Sequence, residues 1–233
     1  MPEMKCYQRY LYSKLSKGLG HRIIEIGAGY GNYTERLLDR GSVLATDVDD
    51  ECLRRIRVRL PTTSLQITHL DLNNYESILA CRDFHADSIF CVNVLEHIRD
   101  DIQSLKWLRH LVVPGGGLAL LVPAHPFLYG RMDREAGHYR RYTRSSLVRT
   151  AVKSGWVVEE CFYINAVGAI GWWVHNCIRR NAGLNDSLVN LQMRLSDRWL
   201  PRIAWLTDSL LGSFFGLSLV LFAHSNKNLA VEK

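Results

Sequence analysis

The sequence lacks most of the marks of specialised protein classes. Its six cysteines (Cys6, Cys52, Cys81, Cys91, Cys161, Cys177) form no Cys-x-x-Cys pair. His and Cys are too dispersed to give ligand spacing, so no metal site is expected. No secretory leader is recognisable, which makes reduced thiols in a cytoplasmic setting the expectation. Cys91 and Cys161 sit in strand-like apolar runs and read as small buried hydrophobes. The longest apolar stretch, residues 210–223, is interrupted by Gly212, Ser213, Gly216 and Ser218. It is also too short to cross a bilayer. Internal repeats and low-complexity segments are absent.

What is present is an ordinary globular composition: 47% apolar and 22% charged over 233 residues. That length suits one sizeable α/β domain. A net charge of +6 and a pI near 9.1 give anionic partners a mild attraction. The basic residues are scattered apart from Arg54–Arg59 and the pair Arg140-Arg141. The first cluster lies on an amphipathic helix and reads as a solvated face.

Apolar runs and turn residues alternate through the first two thirds. A helix over residues 3–19 carries Tyr7, Tyr10 and Tyr12. Strands are expected at 22–26, 43–47, 65–70, 86–92, 118–122 and 156–162, with a last one at 216–224. Helices are expected at 32–40, 50–60, 100–112 and 143–154, with Pro61 stopping the second and Pro114-Gly115-Gly116-Gly117 closing the third. The alternation predicts an α/β fold with a mostly parallel sheet covered by helices on both faces. Ligands of such sheets sit beyond the carboxyl ends of the strands, where strand order switches. A single domain over 1–233 is expected: N-terminal helix 1–20, core 21–162, helical insertion 163–215, and last strand and tail 216–233. Within the insertion, Leu184, Leu188, Leu191, Leu195 and Trp199 repeat at helical spacing.

The chemistry concentrates at strand ends. Glu25-Ile26-Gly27-Ala28-Gly29-Tyr30-Gly31 ends the first strand and opens a helix, so backbone N–H groups can face a ligand with no side chain in the way. Alone, such a turn is a weak signal, since nicotinamide enzymes use a similar one. Asp47 ends the second strand, where a carboxylate can accept both ribose hydroxyls. Asp71 ends the third, placed for an adenine amino group, and Asn93 ends the fourth.

Together these segments resemble class I S-adenosylmethionine-dependent methyltransferases over about residues 20–125. The Glu25–Gly31 segment is similar to that family's first motif. Asp47 matches its ribose acid, and Asp71-Leu72 its adenine-side segment. Asn93–Ile98 and Leu111–Gly117 are similar to its fourth- and fifth-strand blocks. The resemblance implies a Rossmann-like seven-stranded sheet with the last strand antiparallel, and S-adenosylmethionine as cofactor, leaving as S-adenosylhomocysteine. Carried over by position, Gly27, Ala28, Gly29 and Gly31 approach the methionine part, and Glu25 orients it through its ammonium. Asp47 and Val48 hold ribose, Asp71 and Leu72 flank adenine, and Asn93 and Val94 close the site. Tyr10 and Tyr30 are candidate covers for the methionine carboxylate. Glu96 and His97 read as structural members of the family's Leu-Glu-His pattern.

Past the fifth strand, residues 123–143 carry His125, Tyr129, Asp133 and Gly137-His138-Tyr139-Arg140-Arg141-Tyr142. This is similar to a methyltransferase subgroup with a Gly-His-x-Arg-Arg-Tyr loop, and it places acceptor recognition there. His125 and His138 have the intrinsic pKa of a general base for an oxygen acceptor. Arg140 and Arg141 could grip an anionic group, with Tyr30, Tyr129 and Tyr142 beside it. The alternative for the arginines is pairing with Asp133, Glu135 or helix ends to order the loop. The insertion adds Trp172, Trp173, Trp199, Trp205, Phe214 and Phe215, as a covering layer, a homodimer interface, or a lid over an apolar acceptor.

The leading expectation is methyl transfer to a small-molecule acceptor, anionic or apolar, at oxygen, with nitrogen or carbon open. The alternatives are a glycan or lipid-linked intermediate methylated at a membrane face, and an S-adenosylmethionine-binding cyclase that methylates nothing. Nucleic acid is not expected as a partner. The Asn93–Glu96 segment lacks the Asn/Asp-Pro-Pro-aromatic pattern of base amino-group methylation.

Overall fold

The computed structural model describes residues 5–166, 168, 169, 172, 207, 208 and 214–226. Helices α1 (Lys5–Leu15), α2 (Thr34–Leu38), α3 (Asp50–Arg59), α4 (Tyr75–Leu79), α5 (Asp101–Leu108), α6 (Arg131–Glu135) and α7 (Arg144–Lys153) pack around seven strands. The strands are β1 (Arg22–Ile26), β2 (Ser42–Asp47), β3 (Leu65–His69), β4 (Ala86–Val92), β5 (Val112–Pro123), β6 (Trp156–Ile164) and β7 (Ser218–Ser225). Their order in the sheet is β3-β2-β1-β4-β5-β7-β6. β7 runs antiparallel to both of its neighbours, and the other pairings are parallel. The chain therefore has the seven-stranded α/β sheet of class I methyltransferases, with its last strand antiparallel.

The central strands are apolar on both sides because each face carries its own core. Ile24, Ile26, Ile89, Cys91, Leu118 and Leu120 point into one cluster. The alternate residues Ile23, Phe90, Ala119 and Leu121 point into the other. This is the period-two alternation of a sheet buried between two helical layers. Among the described cysteines none forms a disulfide, and Cys52, Cys81, Cys91 and Cys161 are buried. Helix starts follow local capping chemistry. Asp49 accepts from the Glu51 N–H, Asn74 from Glu76 and Ser77, Asp100 from Gln103, and Thr143 from Ser146.

Several boundaries depart from the sequence expectation. The glycines 115–117 lie inside β5 and do not form a turn before it. A register shift between Ala86 and Ser88 absorbs them as a bulge against β4. A Cβ on Gly116 would fall 2.7 Å from Val112 Cβ, so only glycine keeps the strand extended there. β6 continues to Ile164, and β7 begins at Ser218, two residues later than its apolar pattern starts. The short helices α4 and α6 carry too few turns to register as periodicity. The 184–199 repeat, Trp173, Trp199 and Trp205 lie outside the described residues. No helix among the described residues is long and apolar enough to cross a membrane.

Candidate functional site

The strand order reverses between β1 and β4, and the residues singled out lie at or just past the carboxyl ends of the parallel neighbours β3, β2, β1 and β4, on one side of the sheet. Gly27, Gly29 and Gly31 all have positive φ, at 70°, 53° and 75°. A Cβ on Gly27 would lie 2.3 Å from Val94 Cγ2, so this glycine lets β1 close onto the segment after β4. A Cβ on Gly29 would meet nothing within 4 Å, so the loop's open side is here. Asp47 ties the loops together. Its Oδ2 accepts from the Gly29 N–H at 2.7 Å, and its Oδ1 from the Asp49 N–H at 3.0 Å. Each oxygen keeps a lone pair for a ligand hydroxyl.

Glu25 lies beneath the glycine loop and is buried. Its one hydrogen-bond donor among the described residues is Thr34, with Oγ1 2.6 Å from Oε2. Burial pushes its pKa up to about 8; Thr34 and Arg59 oppose the shift and Asp47 adds to it. A buried carboxylate short of a cation fits the ammonium of a methionine moiety. The arrangement of Gly29, Asp47 and Glu25 thus suits a ligand with an ammonium near a ribose.

Other expected cofactor residues are placed unevenly. Val48 is 60% exposed and free to lie over a ligand. Asn93 is exposed at φ 54°, with its N–H on the Leu121 carbonyl at 2.9 Å. Asp71 accepts from the backbone and side chain of Asn73, at 2.8 and 2.9 Å. Leu72 is buried in the core. Tyr10 is buried too, with its hydroxyl on Asp208 and on the Asn165 N–H, so its polar group faces α1's packing partners. Tyr30 is exposed beneath the Arg55 guanidinium, 5.0 Å from the ring centroid. Arg54 and Arg55 share Glu51 on the outer side of α3, as a solvated face should.

Asp133 organises the 123–143 loop, a residue the sequence offered only as a pairing option. It is fully buried and accepts from the Gly130 N–H (2.9 Å), His138 Nδ1 (2.9 Å) and Arg141 Nε (2.8 Å). Arg141 also donates to the Ala124 carbonyl at 3.2 Å and lies over the Trp172 ring. Arg140 pairs with Asp101 at 3.0 Å and donates to the Arg99 carbonyl. The Tyr142 hydroxyl donates to Asp101 and the Tyr129 hydroxyl to the His138 carbonyl, each at 2.8 Å. Both arginines and both tyrosines therefore use their polar groups inside the protein, Arg140 and Tyr142 at the start of α5 and Arg141 and Tyr129 within the loop. An acidic residue between glycines, followed by Arg-Arg, was the available signal for Asp133.

His125 differs from these. It is nearly buried at φ 62°, with its N–H on the Tyr142 carbonyl. Its ring stacks on Tyr163 and Phe215, with centroids 4.8 and 4.9 Å away. Nε2 has no hydrogen-bond partner among the described residues. Burial and the nearby Arg141 charge hold its pKa below the ordinary histidine value. A left-handed backbone at a bulky residue stores strain, as functional positions often do. Among the described residues one group could also hold a cation: ligand atoms of Glu96, His97 and His138 lie within 4.8 Å of one another. Sequence spacing concealed it, because His138 joins from a distant loop.

Comparison with known proteins agrees with the fold. Residues 24–118 match the family model described as "Methyltransferase domain". A Xylella fastidiosa protein named ubiquinone biosynthesis O-methyltransferase is 30% identical over 100 residues, 42% of this chain and 40% of that one. A Xanthomonas campestris protein of the same name is 24% identical over 140 residues, 54% of this chain and 58% of that one. The chain thus spans about two fifths to three fifths of the length of these curated relatives. The solved S-adenosylmethionine-dependent methyltransferase of Mesorhizobium loti superposes with a TM-score of 0.59 at 15% identity, covering 94% of this chain and 97% of that one. At that identity the likeness speaks for the fold.

Proposed function

We propose that the chain carries a class I S-adenosylmethionine-dependent methyltransferase domain and uses it to methylate a small-molecule acceptor at oxygen. The observation that carries the reading is the open cradle at Gly29, bordered by the Asp47 carboxylate and by the buried Glu25. The bound cofactor supplies an electrophilic methyl group on a positively charged sulfur. In this reading Glu25 orients the methionine ammonium, Asp47 accepts from the ribose hydroxyls, and Val48 covers the ligand. Asp71 lies on the adenine side, and the exposed Asn93 borders the crevice with Val94.

His125 is the group we assign to the acceptor's proton. Its Nε2, without a hydrogen-bond partner among the described residues, is neutral at physiological pH and can accept a proton from a hydroxyl as the oxygen attacks. The aromatic rings around it exclude water from that exchange. Holding a nucleophile in line at about 3 Å contributes up to roughly 7–11 kcal/mol in favourable intramolecular cases, so positioning does most of the remaining work. The O-methyltransferase names of the curated relatives support oxygen as the acceptor atom.

Titration calorimetry with S-adenosylmethionine and S-adenosylhomocysteine on the wild type and Asp47→Ala tests the cofactor. Binding of both, weakened at least tenfold in the variant, is expected. If neither ligand binds the folded wild type, the reading fails.

A further inference from the structure

Glu96 lies in the turn that follows β4, fully buried, and among the described residues neither of its carboxylate oxygens has a hydrogen-bond partner. An orphaned buried carboxylate is costly unless a proton or a cation accompanies it. Burial pushes its pKa up to about 8. The groups around it are those that ligate metals. His138 Nε2 stands 4.0 Å from Glu96 Oε1. The adjacent His97 ring meets the His138 ring edge-on, with centroids 4.6 Å apart.

His138 is also held as a metal ligand would be. Its Nδ1 faces the Asp133 carboxylate at 2.9 Å, which leaves Nε2 to offer its lone pair towards Glu96. Asp133 is fixed in turn by Arg141 and by the Gly130 N–H. A carboxylate behind the imidazole is the outer-shell arrangement that orients metal-binding histidines and raises their basicity.

We propose that Glu96, His97 and His138 bind a divalent ion of the zinc class, with Asp133 as the positioning residue behind His138. Two imidazoles and one carboxylate suit zinc or cobalt better than magnesium, which takes oxygen ligands. Bond lengths of about 2.0–2.2 Å require the three ligand atoms to draw together by roughly an ångström around the ion. His97 and His138 are partly exposed, which gives the ion access and leaves a further coordination position open. An acceptor oxygen is the ligand we assign to that position, since metal coordination lowers the pKa of a hydroxyl. That last role rests on the proposed methyl transfer; the ion site does not.

The test is titration of tag-free, chelator-stripped protein with Zn2+ and separately with Co2+, by calorimetry and visible absorption, without cofactor or acceptor. One ion per chain is expected, with cobalt bands of low coordination number. Glu96→Gln and His138→Asn should each weaken binding at least tenfold, and Asp133→Asn by about 10–100-fold. His97→Asn keeps the test decisive should the more buried variants fail to fold. The proposal is overturned if neither ion binds stoichiometrically, or if folded Glu96→Gln and His97→Asn bind as tightly as the wild type. Methyl transfer that is indifferent to chelation, by a protein that does bind the ion, would overturn the acceptor role alone. Cofactor titration of the same stripped protein separates failure of the metal site from failure of the methyltransferase reading.

Discussion

Glu25→Gln should make the protein more stable and less able to bind its cofactor. The Glu25 carboxyl is buried, and its pKa rises from 4.5 to about 8 in the folded chain. Between those values the native state keeps a proton that the unfolded state has released. Stability therefore falls as pH rises through this window, and the full cost is present above about 8. At about 1.4 kcal/mol per pH unit, ionisable Glu25 costs about 3 kcal/mol at pH 7. Gln cannot ionise and can keep the hydrogen bond from Thr34. Urea unfolding of both proteins at several pH values isolates the effect, because the similarly buried Glu96 is common to both and cancels. The stability difference should grow by roughly 2–3 kcal/mol between pH 5.5 and 7.5. A difference that stays constant over that range would refute the reasoning. Cofactor binding should move the opposite way. Losing a charge-assisted hydrogen bond to the ammonium removes about 1.5–3 kcal/mol, or roughly 10–150-fold in affinity. Wild-type binding at pH 7 should also release close to one proton, seen by calorimetry in buffers of different ionisation enthalpy.

The two loop glycines should separate stability from binding. Both variants incur the left-handed penalty of about 1–2 kcal/mol. Gly27→Ala adds a clash with Val94, whereas Gly29→Ala meets open space. Urea unfolding should show the larger stability loss for Gly27→Ala, and calorimetry should show cofactor affinity lost in a well-folded Gly29→Ala. Equal stability losses would contradict this account of the loop. Arg141→Met breaks a buried ion pair and should cost about 3 kcal/mol or more, lowering Tm by roughly 6 °C or more. A Tm shift below about 2 °C would show that His138 and Gly130 hold Asp133 without the arginine. His125→Asn should lower kcat about 10²–10⁴-fold. The wild-type acid limb should lie below pH 6.5, since burial and Arg141 depress the histidine. An unchanged kcat would remove His125 from proton transfer.

Legibility differed between the two halves of the site. The placement of the strand-end residues was readable because each contributor is local. A strand end followed by a turn puts Gly27–Gly31, Asp47, Asp71 and Asn93 at the carboxyl ends of their strands whatever the details of packing. Leu72 and Tyr10 were less readable, since burial depends on what packs over them. The 123–143 loop was legible in a different way, with ligand grip and internal pairing both left open for its arginines. Arg140, Arg141, Tyr129 and Tyr142 look like ligand-binding side chains in sequence, and three-dimensional pairing with Asp101, Asp133 and the His138 carbonyl occupies them internally.

The sequence by itself determined the alternation of strands and helices, the parallel core with its two apolar faces, and the place of the glycine cradle. Those follow from hydrophobic period and from turn residues, which act over a few neighbours. Only the tertiary structure decided that glycines 115–117 lie within β5, that Asp133 is the buried hub of the 123–143 loop, and that Nε2 of His125 has no hydrogen-bond partner among the described residues. It alone brought His138 up to Glu96 and His97. These outcomes depend on which distant groups share one low-dielectric space, where an unpaired charge or polar atom is costly, and spacing along the chain does not encode that proximity.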